Sequence, residues 1–138
     1  MSLVLDSSMA LAWLFEDENS DQATNVLDQV TEIGATVPSL WRLEVANALL
    51  MAVRRGRIDT EFRDASLRDL AALSIVIDSE TDHQAWSTTL HLADCYKLTL
   101  YDAAYLELAQ RLGLPLATLD QALVNAAVGI GVTLCGTE

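Results

Sequence analysis

Apolar positions along this chain alternate between short continuous runs and longer stretches at helical spacing, with turn signals between them. The runs predict strands at 2–6, 35–38, 74–78, 116–119 and 131–135. The longer stretches predict helices at 9–15, 20–31, 40–55, 59–73, 81–96, 99–112 and 120–127, with an acidic corner at 16–19. Punctuation supports the boundaries. Ser7, Ser8, Ser39, Asp59 and Thr99 are suited to capping helix N-termini, Gly34 to ending the second helix, and Gly113 with Pro115 to stopping the long one. Strands alternating with helices predict a three-layer α/β/α domain around a mostly parallel sheet of about five strands. No linker or repeat interrupts residues 1–138, so a single domain is expected.

Against that pattern four carboxylates stand out. Asp6 closes the run Leu3-Val4-Leu5 and Asp120 follows LATL, while Glu44 lies inside LWRLEVANALL and Asp102 inside TLYDAAYLELA. Charged side chains are seldom buried unless paired or bound to a cation. In a parallel sheet Asp6 and Asp120 fall at the same carboxyl edge, where such folds bind ligands, and Asp102 opens a helix entered from that side. Glu44 and Asn47 are the polar residues of the stretch LEVANALLMAV and share one helix face. The helix is apolar almost all round, which predicts burial and makes a lone carboxylate there expensive. Three of the acids have a conventional alternative: Asp6 and Asp120 as N-caps, and Asp102 as the partner of Thr99 in a capping box. Glu44 has none, and the four together point to a divalent-metal pocket.

Other candidates weigh less. Asp78 ends a strand expected at the sheet edge, away from Asp6, and Glu107 with Arg111 reads as an i,i+4 pair on an outer helix face. His83 and His91 accompany Trp86 on an amphipathic helix, and Glu16 to Glu18 is an exposed corner. The two thiols, Cys95 and Cys135, have no metal-ligand spacing and read as small core residues in a reducing cytoplasm. There is no P-loop, no GxGxxG, no Ser-His-Asp set and no Asp-x-Asp nucleophile motif, and no apolar run is long enough to span a membrane.

Composition adds one tension. The formal charge of −12 opposes long-range attraction to nucleic acid, yet six of the eight basic residues cluster, at Arg42, Arg54, Arg55, Arg57, Arg63 and Arg68. Arg54, Arg55 and Arg57 are candidates for contact with an RNA backbone or a protein partner, or else a solvated helix end. Oxygen-only ligands favour Mg2+ or Mn2+ over zinc, and such centres commonly act on phosphodiesters.

The segments VLDSSMALAWLFEDE, PSLWRLEVANALL, LTLYDAAYLELAQRLGLPLATLDQAL and GIGVTL resemble the PIN-domain ribonucleases, most closely the VapC-type toxins of toxin–antitoxin modules. The resemblance covers essentially the whole chain. It implies a magnesium-dependent endoribonuclease that leaves a 5′-phosphate and a 3′-hydroxyl, a homodimer, and a cognate VapB-like antitoxin. It places Asp6, Glu44, Asp102 and Asp120 in the family's acidic quartet. Ser8 and Thr118 would orient carboxylates from behind, and Asn47 would be a further polar contact. An antitoxin would present Arg or Lys to the quartet, with helix 40–53 and an exposed Trp13 or Phe15 forming dimer and partner grooves. The alternative is a PIN-like module that binds protein or RNA without cleaving. A phosphohydrolase acting on small phosphates is a further, less favoured reading.

Overall fold

The computed structural model describes residues 2–136. Its elements follow the alternation seen in the sequence: β1 (Val4–Leu5), α1 (Ser7–Leu14), a 3-10 turn (Glu16–Glu18), α2 (Asp21–Ile33), β2 (Ala35–Val37), α3 (Trp41–Arg54), α4 (Thr60–Ala71), β3 (Ile75–Ile77), α5 (Thr81–Gln84), α6 (Thr88–Tyr96), α7 (Leu100–Leu112), β4 (Leu116–Ala117) and α8 (Gln121–Ile130). The strands form one parallel sheet in the order β3-β2-β1-β4, flanked by helices in the expected three-layer arrangement. Register is set by Val4 opposite Thr36 and Leu116, and by Thr36 opposite Val76. The chain builds outward from β1 through β2 to β3, then returns to place β4 on β1's other side. That reversal opens the crevice where parallel sheets bind ligands.

Short strands suffice because both faces of β1 and β4 are covered: Leu3, Val4, Leu5, Leu116 and Ala117 are fully buried. Helix α7 supplies the densest stretch of core, with every residue from Ala103 to Ala109 buried. One glycine is required by geometry. Gly34 ends α2 at φ 80°, and a Cβ there would lie 2.7 Å from the Ser74 carbonyl oxygen.

Several expectations are corrected. The fifth strand, 131–135, reduces to a single bridge between Leu116 and Leu134, since Gly131 turns left-handed immediately after α8 and leaves little extended chain. The helix 81–96 divides into α5 and α6 around a turn at 85–87 that leaves Trp86 92% exposed. Ser39 does not cap α3; its backbone N–H goes to Thr81 Oγ1 instead. Helix α3 is not buried all round: Trp41, Val45, Leu49 and Ala52 form one inward stripe, while Leu43 is 75% exposed and Leu50 faces solvent.

The exposed aromatics expected near the acidic corner are turned inward. Phe15 is buried beneath the Arg57 guanidinium, 3.9 Å from its ring centroid, and Trp13 is half-buried with Nε1 donating to the Ala23 carbonyl. Cys135 is buried but Cys95 is exposed, because α6 turns that face outward. Glu107 and Arg111 are no outer-face pair. Glu107 is only 3% exposed, and Arg111 forks between Glu107 at 2.7 Å and Asp78 at 2.7 Å, tying α7 to the end of edge strand β3.

Candidate active site

The site is built where β1 and β4 end side by side. The Asp6 N–H donates to the Ala117 carbonyl, which holds the first residue after β1 against the last of β4. Asp6 occupies the N-cap position of α1, yet its carboxylate makes no capping bond. Its Oδ2 instead accepts from Ser8 Oγ at 2.7 Å and from Thr118 Oγ1 at 2.6 Å. Those hydroxyls are themselves oriented by the backbone: Leu119 N–H donates to Ser8 Oγ, and Asp120 N–H to Thr118 Oγ1. Oδ2 is thus aimed by two donors, one from each of the abutting chain segments, and Ser7 Oγ reaches Oδ1 at 3.4 Å.

The other acids are held differently. Asp120 caps α8, accepting from Leu123 N–H at 3.1 Å, so the conventional role open to it is realised. Asp102 lies in the first turn of α7, and its N–H donates to Thr99 Oγ1, one half of the expected capping box. Glu44 is reached by a residue that sequence reasoning does not single out: Tyr105, whose hydroxyl donates to Glu44 Oε1. Tyr105 follows Asp102 by three positions on the same face of α7, and that spacing is the available signal. An aromatic inside AAYLELA reads as core, however, and its ring is indeed fully buried.

The four carboxylates share one electrostatic neighbourhood. Burial raises the Asp6 carboxyl above the ordinary carboxylate range, against the pull of Thr118 and Ser8, and the Asp120 charge adds to the rise. Glu44 is raised by burial and further by Asp6 and Asp102, and Asp102 by burial and then by Asp120 and Asp6. Among the described residues no Lys, Arg or His pairs with any of the four. This is a concentration of negative oxygen ligands without an internal counter-charge, which suits a hard divalent cation. Among the described residues, no three side chains of His, Cys, Asp or Glu are yet drawn close enough to hold one ion together. Tyr105 holds one oxygen of Glu44, and Asp120 accepts from the first turn of its own helix.

The remaining candidates lie outside this cluster. Asn47 is exposed on α3 and makes no hydrogen bond to the quartet among the described residues. Arg54 and Arg55 are exposed at the end of α3, whereas Arg57 is engaged by Asp17 at 2.7 Å and Glu18 at 2.8 Å. His83 and His91 are exposed. A cavity of about 340 Å3 between α3 and α4, lined by Trp41, Val45, Leu67, Leu70 and Ile75, contains none of the four acids.

With this geometry in place, comparison with known proteins is informative. The model of the PIN domain matches residues 3–129. Ribonuclease VapC3 of Pyrobaculum aerophilum is 32% identical over 125 residues, covering 91% of this chain and 94% of that protein. Among solved structures, PAE2754 from Pyrobaculum aerophilum superposes with a TM-score of 0.67 at 23% identity, over 91% of this chain and 84% of its own. A toxin–antitoxin complex from Klebsiella pneumoniae gives 0.63 at 18% identity over 99% of both chains. FitAcB from Neisseria gonorrhoeae gives 0.67 at 13% identity over 96% of both chains. These three likenesses bear on the fold.

Proposed function

This chain belongs to the PIN-domain family, and from that premise we propose that it is a metal-dependent endoribonuclease, the toxin of a VapBC-type toxin–antitoxin pair. The observation that carries the reading is the uncompensated carboxylate neighbourhood at the ends of β1 and β4. It occurs in a chain 32% identical to a ribonuclease over nearly its whole length. The family and that relative both support a nuclease.

Asp6, Glu44, Asp102 and Asp120 are the residues that would hold the ion, Mg2+ or Mn2+. When bound, it supplies Lewis acidity toward a phosphodiester oxygen and lowers the pKa of a water. The chain's own groups do the rest. Ser8 and Thr118 both hold Asp6 Oδ2, and Ser7 reaches Oδ1, so the carboxylate would be oriented before an ion arrives. Asp120 ties the far wall to the start of α8. Burial and mutual repulsion raise these carboxyl groups, which is the condition a cation would relieve.

The partners follow from the same surface. An antitoxin would offer Arg or Lys to the quartet, supplying the positive charge the pocket lacks. Self-association would use α3, where Leu43 and Leu50 are exposed. Arg54 and Arg55 stand ready for an RNA backbone, while Arg57 first has to leave Asp17 and Glu18. A second reading, a PIN-like binding module that does not cleave, draws on the formal charge of −12, which opposes approach by a polyanion.

Antitoxin-free protein incubated with total cellular RNA in Mg2+ or Mn2+, beside folded Asp6→Asn and Asp102→Asn variants, decides between the two. Discrete cuts lost with EDTA and with either substitution are the expected result. Metal binding without any cut would establish the binding module instead.

A further inference from the structure

Tyr105 is an odd choice for its position. It lies in the middle of the most buried stretch of α7, between Ala104 and Leu106, where phenylalanine would fill the same volume. A buried hydroxyl needs a partner, and this one has Glu44 Oε1, contributed by a helix 61 positions earlier in the chain. The dependence is mutual. Glu44 enters the crevice from α3, whereas Asp6 and Asp120 are held by bonds to the segments that frame β1 and β4. The phenol is the strongest hydrogen-bond partner of the Glu44 carboxylate, with the Ser7 hydroxyl a weaker one beside it.

We propose that Tyr105 is a positioning residue for the metal centre: by occupying Glu44 Oε1 it selects the other oxygen to face Asp6 and Asp102, and so presets the fourth ligand. The inference rests on the metal-dependent reading above and deepens it. A carboxylate on a side chain as flexible as glutamate samples many orientations, and each must be given up when it ligates. A phenol donating from a rigid, fully packed helix removes that freedom in advance, as hydrogen-bonding partners behind metal ligands do generally.

The test uses the full chain and Mn2+ alone as the probe, with free Mn2+ followed by its electron paramagnetic resonance signal and folding followed by thermal melting. Tyr105→Phe keeps the ring and its packing. It should melt as a cooperative fold and bind Mn2+ about 10-fold more weakly than the unsubstituted protein, in line with losses at outer partners elsewhere. The metal concentration for half-maximal RNA cleavage should rise by a similar factor, with the rate recovering at saturation. In a Glu44→Gln background the same substitution should change Mn2+ binding no further, because Tyr105 acts through Glu44. Equal Mn2+ affinity of Tyr105→Phe and the unsubstituted protein overturns the proposal. So does an additive loss in the Glu44→Gln background, which assigns Tyr105 to packing alone. Failure of the unsubstituted protein to bind Mn2+ overturns instead the metal-dependent reading beneath it.

Discussion

Thr118 Oγ1 donates to Asp6 Oδ2 at 2.6 Å, joining residues 112 positions apart in the chain. The bond is buried, and its acceptor is a carboxylate only 3% exposed, so it acts where water cannot substitute. Thr118→Val preserves shape and removes the hydroxyl. It should destabilise the protein by about 1–3 kcal/mol, because both Asp6 Oδ2 and the Asp120 N–H lose a partner. Mn2+ affinity should fall on the order of 10-fold. Urea unfolding and a Mn2+ titration check the two effects separately.

The acid cluster also sets a pH dependence. Asp6, Glu44 and Asp102 hold their protons more tightly folded than unfolded, chiefly through burial, from ordinary values of 3.8, 4.5 and 3.8. Raised folded values favour the fold at low pH, and that contribution is lost as pH climbs through them. Asp78 has the opposite sign. Burial pushes its carboxyl up, but Arg111 and Thr81 outweigh it and hold the group below 3.8, so its contribution persists above that value and disappears as pH falls beneath it. Metal-free protein should therefore lose stability as pH rises from the ordinary carboxylate range toward neutrality. Added Mn2+ should raise the melting temperature more at neutral pH than at acidic pH, where the carboxyl groups keep their protons. A melting series with and without Mn2+ is sufficient, and a metal-free maximum at or above neutrality would contradict it.

Arg111 gives a prediction about the scaffold alone. Its guanidinium serves Glu107 and Asp78 together, and Glu107 is buried. Arg111→Met leaves an unpaired buried carboxylate and should cost about 3 kcal/mol in urea unfolding, the low end for broken buried pairs because Arg111 is partly exposed. A double variant, Arg111→Met with Glu107→Gln, should recover part of that loss. Additive losses would argue against the ion pair as the cause.

RNA binding at the end of α3 is testable through salt. Arg54 and Arg55 are exposed, and among the described residues neither forms an ion pair. Each of Arg54→Ala and Arg55→Ala should flatten the slope of log affinity against log salt by about 0.7 for every single-stranded phosphate that is no longer neutralised. Binding of catalytically silent Asp6→Asn protein to RNA, measured by fluorescence anisotropy across salt concentrations, reads this directly. An unchanged slope removes these arginines from the interface.

Strand ends were the legible part of the site. Asp6 and Asp120 could be placed together because parallel strands share a carboxyl edge, and Asp102 because its helix enters from that edge. What the sequence hides is the non-local detail. Tyr105 looks like core because its ring is core, and its hydroxyl acquires a purpose only when α3 lies alongside. Arg111 looks paired within its own helix, and the link to Asp78 depends on where β3 ends. The turn at 85–87 carries neither glycine nor proline, so nothing in composition interrupts the helical rhythm there. Leu43 and Leu50 made α3 look interior, since periodicity alone does not separate a face buried in the core from one left for a neighbour.

The pairing of β1 with β4 has a consequence in time. Leu5 aligns with Ala117, so the strand that leads into Asp6 is translated well before its neighbour. At ordinary elongation speeds the 112 residues separating Asp6 from Thr118 take on the order of ten seconds to make. Throughout that interval the nascent polypeptide has neither the second wall of the crevice nor the hydroxyl that aims its first acid. The crevice around Asp6 therefore cannot close before β4 has been made.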